Sequence, residues 1–207
     1  MKVSDTKIPG VKLIQPDVYG DERGYFYESF QQQRYHDHGI EAVFIQDNQS
    51  YSRRGVLRGL HHQKQYTQGK LVSAMSGQIF DVVVDIRHGS PTFGQWLSVI
   101  LTGEQHNQLY VPPGLAHGFL VMSETAHFAY KCTDYYHPES EMSIQWHDPD
   151  IGIAWPLENI APVVSAKDNN ACRLRDIPIA DLPVYSYCEN KPKTSVEKDL
   201  TKKVSVE

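Results

Sequence analysis

From residue 78 onward the chain alternates apolar and polar positions with the two-residue period of a β-strand. "QIFDVVVDI" places Phe80, Val82, Val84 and Ile86 on one face and Asp81 and Asp85 on the other. Shorter runs of the same kind recur at "WLSVIL", "QLYVP", "GFLVM" and "HFAYKCTDYY". The connecting segments "RHGSPTFG", "LTGEQHN" and "PPG" supply Gly, Pro and Asn turns, and the spacings are too short for crossover helices. The pattern predicts an antiparallel all-β sandwich or barrel. The main helix is expected at "SFQQQRYHDHG", with Ser29 able to cap it and Gly39 able to end it. There is no internal repeat.

Composition narrows the class. A chain of 207 residues, 40% hydrophobic and 11% aromatic, can bury a substantial core as one domain. Residues 1–188 are read as that domain. Residues 189–207, Lys-rich and free of aromatics, read as a charged, disordered, solvated tail. A net charge of -5 argues against a general nucleic-acid binder, so any basic function has to be local. Cys132, Cys172 and Cys188 are odd in number and lack CxxC spacing. "MKVSDTKIPG" has no apolar segment, and no apolar run is long enough to span a membrane. Together these features predict a soluble cytoplasmic protein with reduced thiols.

The candidate chemistry begins at "VLRGLHHQ", which sets His61 beside His62. Successive side chains of a strand point to opposite faces, so at most one of the two imidazoles is expected in a pocket unless the backbone bulges. A β-barrel with "LHHQ" early and "PPGLAHGF" later has the outline of a metal-binding cupin. Against this, the two histidines diverge, "QKQYTQGK" contains no acid, and Lys70 would bring a cation to a cation site. Metal-free proton transfer next to a ketone needs a base, a cation to hold the enolate oxygen and an acid on the opposite face. His61, Lys70 and Tyr130 are residues of those types. Asp168 in "SAKDNN" and Asp81 are the carboxylates that could orient the base.

Longer motifs sharpen this reading. "YGDERGYFYESF", "FIQDNQS", "GVLRGLHHQ", "QGKLV", "FDVVVDIRHGSPTFGQW", "VPPGLAHGF", "YKCTDYYHPESE", "IGIAWP" and "SAKD" follow one another in order. The set resembles the dTDP-4-dehydrorhamnose 3,5-epimerase family, metal-free cupins of dTDP-L-rhamnose synthesis. The resemblance implies a jelly-roll β-barrel with short flanking helices, a homodimer with strand contributions crossing the interface, and no metal or other cofactor. It implies epimerisation of dTDP-4-dehydro-6-deoxy-D-glucose at C3 and C5. By the same resemblance His61 is the general base, Asp168 its partner, Tyr130 the acid and Lys70 the enolate-holding cation. Arg23, Arg58 and Lys167 fall on phosphate-binding positions. Glu28, Gln46, Asp47, Asn48, His117 and Glu141 fall on other ligand-contacting positions. His62 stands where the family often has an aromatic residue, and it reads as a packing group.

Two points stay open at this level. Ideal alternation from His61 turns Arg58 to the opposite face, and a bulge at Gly59 would bring it back. Related enzymes that epimerise C3 or C5 alone keep most of these motifs. A metal-dependent oxygenase and a non-catalytic sugar-nucleotide-binding barrel are the alternatives from other classes. The departures from the family are Pro-Pro-Gly where relatives often have Pro-Glu-Gly, and the tail.

Overall fold

The computed structural model describes residues 1–185. The tail expected over residues 189–207, the end of the domain at residue 188 and Cys188 lie outside the described residues. Fourteen strands and two short α-helices are present among them: β1 Lys2–Asp5, β2 Lys12–Gln15, β3 Val18–Asp21, β4 Gly24–Tyr27, α1 Gln32–Asp37, β5 Gln46–Arg53, β6 Val56–Gln63, β7 Lys70–Ser76, β8 Gln78–Asp85, β9 Trp96–Thr102, β10 Gln108–Val111, β11 Leu115–Val121, β12 Thr125–Cys132, β13 Glu141–Ser143, β14 Val163–Val164 and α2 Ala166–Asn169.

Two sheets form the body. The first runs β1-β2-β10-β7-β12-β5 and the second β13-β6-β11-β8-β9, with β14 added beside β6. All pairings are antiparallel except that of β14 with β6. The core between the sheets takes Val72, Ala74, Leu109 and Phe128 from the first and Ile79, Val83, Leu101 and Phe119 from the second. The hydrogen-bond ladders of the two sheets stay separate, so the expected barrel is a jelly roll closed by packing.

Strand β8 is buried on both faces, which a simple alternation does not foresee. Val82, Val84 and Ile86 pack outward beneath Ile144, Ile151, Leu174 and Ile177 of the chain's last third. Asp81 and Asp85, on the other face, are fully buried. Each has hydrogen-bond partners. Asp85 accepts from Arg87, Ser90 and Thr92 at the turn that follows β8.

The helical expectation holds at one end and shifts at the other. Gly39 ends α1 with φ +77° and an N–H donated to His36. The cap is Gln31 rather than Ser29, because the Gln31 side-chain oxygen accepts from Arg34 N–H at 2.6 Å. The Ser29 carbonyl instead accepts from Tyr35 and Gln108. Helix α1 covers the outside of the first sheet, where Tyr35 packs with Ile14, Ile40, Leu71 and Tyr110.

Candidate active site

One end of the sandwich is open, and the cavity there has a volume of about 340 Å³, within the range of small-molecule sites. Its lining comes from both sheets. Gln46, Asn48, Ser50, Lys70, Phe128 and Tyr130 belong to the first, and Arg58, His61, Gln63, His117, Phe119 and Glu141 to the second.

The second sheet reaches the site through an irregular strand. His117 pairs with His61 and Phe119 with Arg58, so three residues of β6 are spanned by two of β11. The extra residue is a bulge at Gly59, where the Gly59–Leu60 peptide is cis. Only glycine fits there. Its φ is +109°, and a Cβ would lie 2.6 Å from the His117 carbonyl and from Gly118 Cα. The bulge left open by the sequence is therefore present, and it brings Arg58 to the cavity beside His61. The Arg58 guanidinium is steadied by Ser52 Oγ at 3.2 and 3.3 Å.

His61 is held from behind. Its Nε2 lies 2.5 Å from Asp168 Oδ1, so the Nε2 proton is donated to the carboxylate and Nδ1 keeps its lone pair. Asp168 comes from α2, capped by Ser165 Oγ on Asp168 N–H, and its other oxygen accepts from Gly59 N–H at 3.4 Å. Burial pushes the Asp168 carboxyl up, but its bonds to His61, Gly59 and Ser165 outweigh that and hold it below the ordinary carboxylate range. His61 Nδ1 stands 3.8 Å from Glu141 Oε1.

The sequence offered two carboxylates for one histidine, and the structure gives each its own. Asp81 bonds His117 Nε2 through both oxygens, at 3.0 and 2.9 Å. Burial raises the Asp81 carboxyl against the opposing pull of His117 and Lys70. His117 is thus fixed in the cavity wall, its ring parallel to that of Phe128.

The opposite wall carries Lys70 and Tyr130. Cys132 pairs with Lys70 across β7 and β12, and Tyr130 is two residues back on the same face. Burial lowers the Lys70 ammonium's pKa, against the pull of Cys132, Glu141 and Asp81. Burial raises the Tyr130 phenol, with Cys132 and Glu141 adding to the shift and Arg58 opposing it. A phenol so placed keeps its proton at neutral pH and can donate it.

Not every expected residue reaches the cavity. Arg23 sits at the tip of the β3–β4 hairpin, 85% exposed and paired with Asp21. Glu28 pairs with Arg34 at 3.2 Å. Asp47 pairs with Lys131 on the outside of the first sheet, because its strand neighbours Gln46 and Asn48 take the inward positions. Lys167 stands at the rim, paired with Glu141. Sequence reasoning missed Gln63, Gln68, Ser50 and Tyr136, all of which line the cavity. Gln63 follows His61 by two residues on one strand, a spacing that could have marked it. Nothing in the pattern marked Tyr136, whose hydroxyl donates to Glu141 Oε2 at 2.6 Å. That bond is the main reason its phenol is pushed up to about 12. His62 also borders the cavity, but its two ring nitrogens are buried without a hydrogen-bond partner.

Among the described residues no group of three or more His, Cys, Asp or Glu side chains could hold a metal ion, and no helix is long and apolar enough to cross a membrane. The described cysteines, Cys132 and Cys172, are free thiols.

Known proteins are similar to this chain in sequence and in fold. A Salmonella typhimurium dTDP-4-dehydrorhamnose 3,5-epimerase is 52% identical over 170 residues, 81% of this chain and 92% of the relative. A dTDP-6-deoxy-D-glucose-3,5-epimerase from Legionella pneumophila, solved in complex with dTDP-4-keto-L-rhamnose, superposes with a TM-score of 0.87 at 56% identity, covering 89% of this chain and 98% of that one. A 3'-monoepimerase from Streptomyces bikiniensis, solved with dTDP-quinovose, gives 0.80 at 35% identity, covering 87% and 92%. The family model described as dTDP-4-dehydrorhamnose 3,5-epimerase matches residues 5–176, a span that holds β2 to β14, the bulge at Gly59 and both His–Asp pairs, and the chain belongs to that family.

Proposed function

We propose that the protein epimerises dTDP-4-dehydro-6-deoxy-D-glucose at C3 and C5, giving dTDP-4-dehydro-L-rhamnose for dTDP-L-rhamnose synthesis. The observation that carries this is the division of the cavity: His61 stands on one sheet, and Lys70 and Tyr130 on the other. Inversion requires that a proton leave one face of the sugar and return to the other, so base and acid must flank the ring.

In this reading His61 Nδ1 takes the proton at C3, the C–H electrons form a C3–C4 double bond, and the carbonyl π electrons move to the C4 oxygen. The Lys70 ammonium holds the resulting enolate. Tyr130 gives its phenolic proton to the opposite face of C3 and is reprotonated from solvent. His61 then loses its proton to solvent, and the same steps invert C5. Asp168 fixes the tautomer of His61 and stabilises the imidazolium. Arg58 suits the diphosphate, as a guanidinium fork matches phosphate oxygens. His117, Gln46, Asn48, Glu141 and Lys167 are proposed as further substrate contacts.

A homodimer is part of the proposal. The hairpin β3–β4 leaves Tyr19, Tyr25 and Phe26 61–71% exposed. Such an arm suits insertion into a partner subunit, and Arg23 and Glu28, held in surface ion pairs in one chain, would then serve the partner's cavity. The single domain over residues 1–188 and a cytoplasmic location are proposed with it.

Incubation with the substrate in deuterium oxide, followed by NMR at C3 and C5, tests the reading. Deuterium at both carbons with formation of the L-rhamno product supports it. Exchange at one carbon assigns the single-centre activity that the structural likeness to a 3'-monoepimerase makes the second reading. Exchange at neither refutes epimerisation.

A further inference from the structure

Gln63 ends β6, two residues beyond His61, and is 5% exposed. Its amide is fully engaged at the cavity mouth. Nε2 donates to the Tyr66 carbonyl at 2.6 Å and to the Tyr135 carbonyl at 3.2 Å, and Oε1 accepts from His137 N–H at 2.8 Å. The first bond reaches the loop after β6, and the other two reach the turn after β12. A second tie crosses the same two loops, since the Tyr66 and His137 rings stack at 4.2 Å.

The residue enclosed by the two turn bonds is Tyr136. Its N–H donates to Gln46 Oε1 at 3.0 Å and its hydroxyl to Glu141 Oε2. Glu141 Oε2 is engaged by both Tyr136 and Lys167, and Oε1 is the oxygen that faces His61 Nδ1. A glutamine can form this splint because one amide supplies two donors and an acceptor. We propose that Gln63 is a positioning residue for the Tyr136–Glu141 pair, and that through this pair it sets the protein's affinity for the sugar nucleotide. The inference rests on the epimerase reading and extends it to a residue of the cavity mouth.

The physical reason is preorganisation. If the turn around Tyr136 is loose in the free protein, ordering it is charged to substrate binding. The cost then falls on KM more than on kcat, since His61, Lys70, Tyr130 and Asp168 do not bond to Gln63.

The test is deuterium uptake at C3 and C5 across a range of substrate concentrations for the wild type, Gln63→Leu, Gln63→Glu, Tyr136→Phe and the Gln63→Leu/Tyr136→Phe pair. Gln63→Leu removes all three bonds. Gln63→Glu keeps the acceptor for His137 N–H and loses both donors, so it serves where the leucine variant fails to fold. Each single variant is expected to raise KM about tenfold with kcat within about threefold, and the double variant to raise it no further than the worse single. A wild-type KM in Gln63→Glu overturns the proposal, as does a double variant whose KM increases multiply. A purely structural role lowers Tm and the fraction of active protein while leaving KM in place, and that result overturns it too. Absence of exchange in the wild type refutes the epimerase reading, and the proposal with it.

Discussion

His62 makes stability depend on pH in a way that one substitution removes. The ring is 4% exposed and neither nitrogen has a hydrogen-bond partner. Burial, with smaller contributions from Lys70 and His61, pushes its pKa down from 6.5 to about 4. In the unfolded chain the same imidazole titrates near its ordinary value. As pH falls below 6.5 the unfolded state therefore binds a proton that the native state refuses, and stability is lost until pH reaches the native value near 4. That gap amounts to about 3 kcal/mol in full, of which about 2 kcal/mol is gone at pH 5. His62→Phe keeps an aromatic ring in the space and removes both the titration and the orphaned nitrogens. Urea denaturation of both proteins at pH 8, 7, 6 and 5 measures the effect, and the comparison cancels the titrating groups that do not interact with His62. The variant's advantage over the wild type should grow by about 2 kcal/mol between pH 8 and pH 5. A difference that stays constant across that range would show that His62 finds a partner for its proton in the native state, and would refute the reasoning.

Other expectations concern the site itself. His61→Ala should lower turnover by about 100-fold or more with dTDP affinity unchanged by calorimetry, and near-normal exchange in this variant would mean that another group is the base. Tyr130→Phe removes the donor and keeps the ring, so exchange without inversion should rise relative to double inversion in deuterium oxide; an unaltered product ratio would take Tyr130 out of the mechanism. Gly59→Ala would press a Cβ against the His117 carbonyl and Gly118 Cα at a φ of +109°, and should cost about 3 kcal/mol, read as a Tm lower by about 6–12 °C. Activity should survive prolonged EDTA treatment, because the enolate is assigned to an ammonium; loss restored by one divalent ion would move the protein to the metal cupins.

Strand content, the antiparallel arrangement and the end of α1 at Gly39 were legible because two-residue periodicity and glycine punctuation are local signals. The double burial of β8 was not, since it depends on residues 144–182 folding back over a sheet formed by earlier strands. The Gln31 cap was missed for a similar reason. Ser29 is the better capping type, but its carbonyl is taken by Tyr35 and Gln108, and Gln108 is a contact 79 residues away. At the site, motif resemblance pointed to His61 and Asp168 together, 107 residues apart, which no spacing argument could do. It also pointed to Arg23, Glu28 and Asp47, which one chain by itself keeps in surface ion pairs.

The adjacent histidines show what the bulge does for the chemistry. On a regular strand Arg58 and His61 would face opposite sides, and one sheet could not present a phosphate-binding fork and a base to the same ligand. A single extra residue at Gly59 removes that conflict. It also leaves a backbone N–H at Gly59 pointing to the Asp168 carboxylate, so the residue that re-aims Arg58 helps to fix the partner of His61. Beyond the bulge the pairing with β13 is regular: His61 and Gln63 face the cavity and its mouth, and the His62 ring, which also borders the cavity, is left buried with no hydrogen-bond partner. The two imidazoles are chemically identical and adjacent in sequence. Their different fates follow from Asp168, which reaches the ring of His61 and leaves that of His62 without a partner.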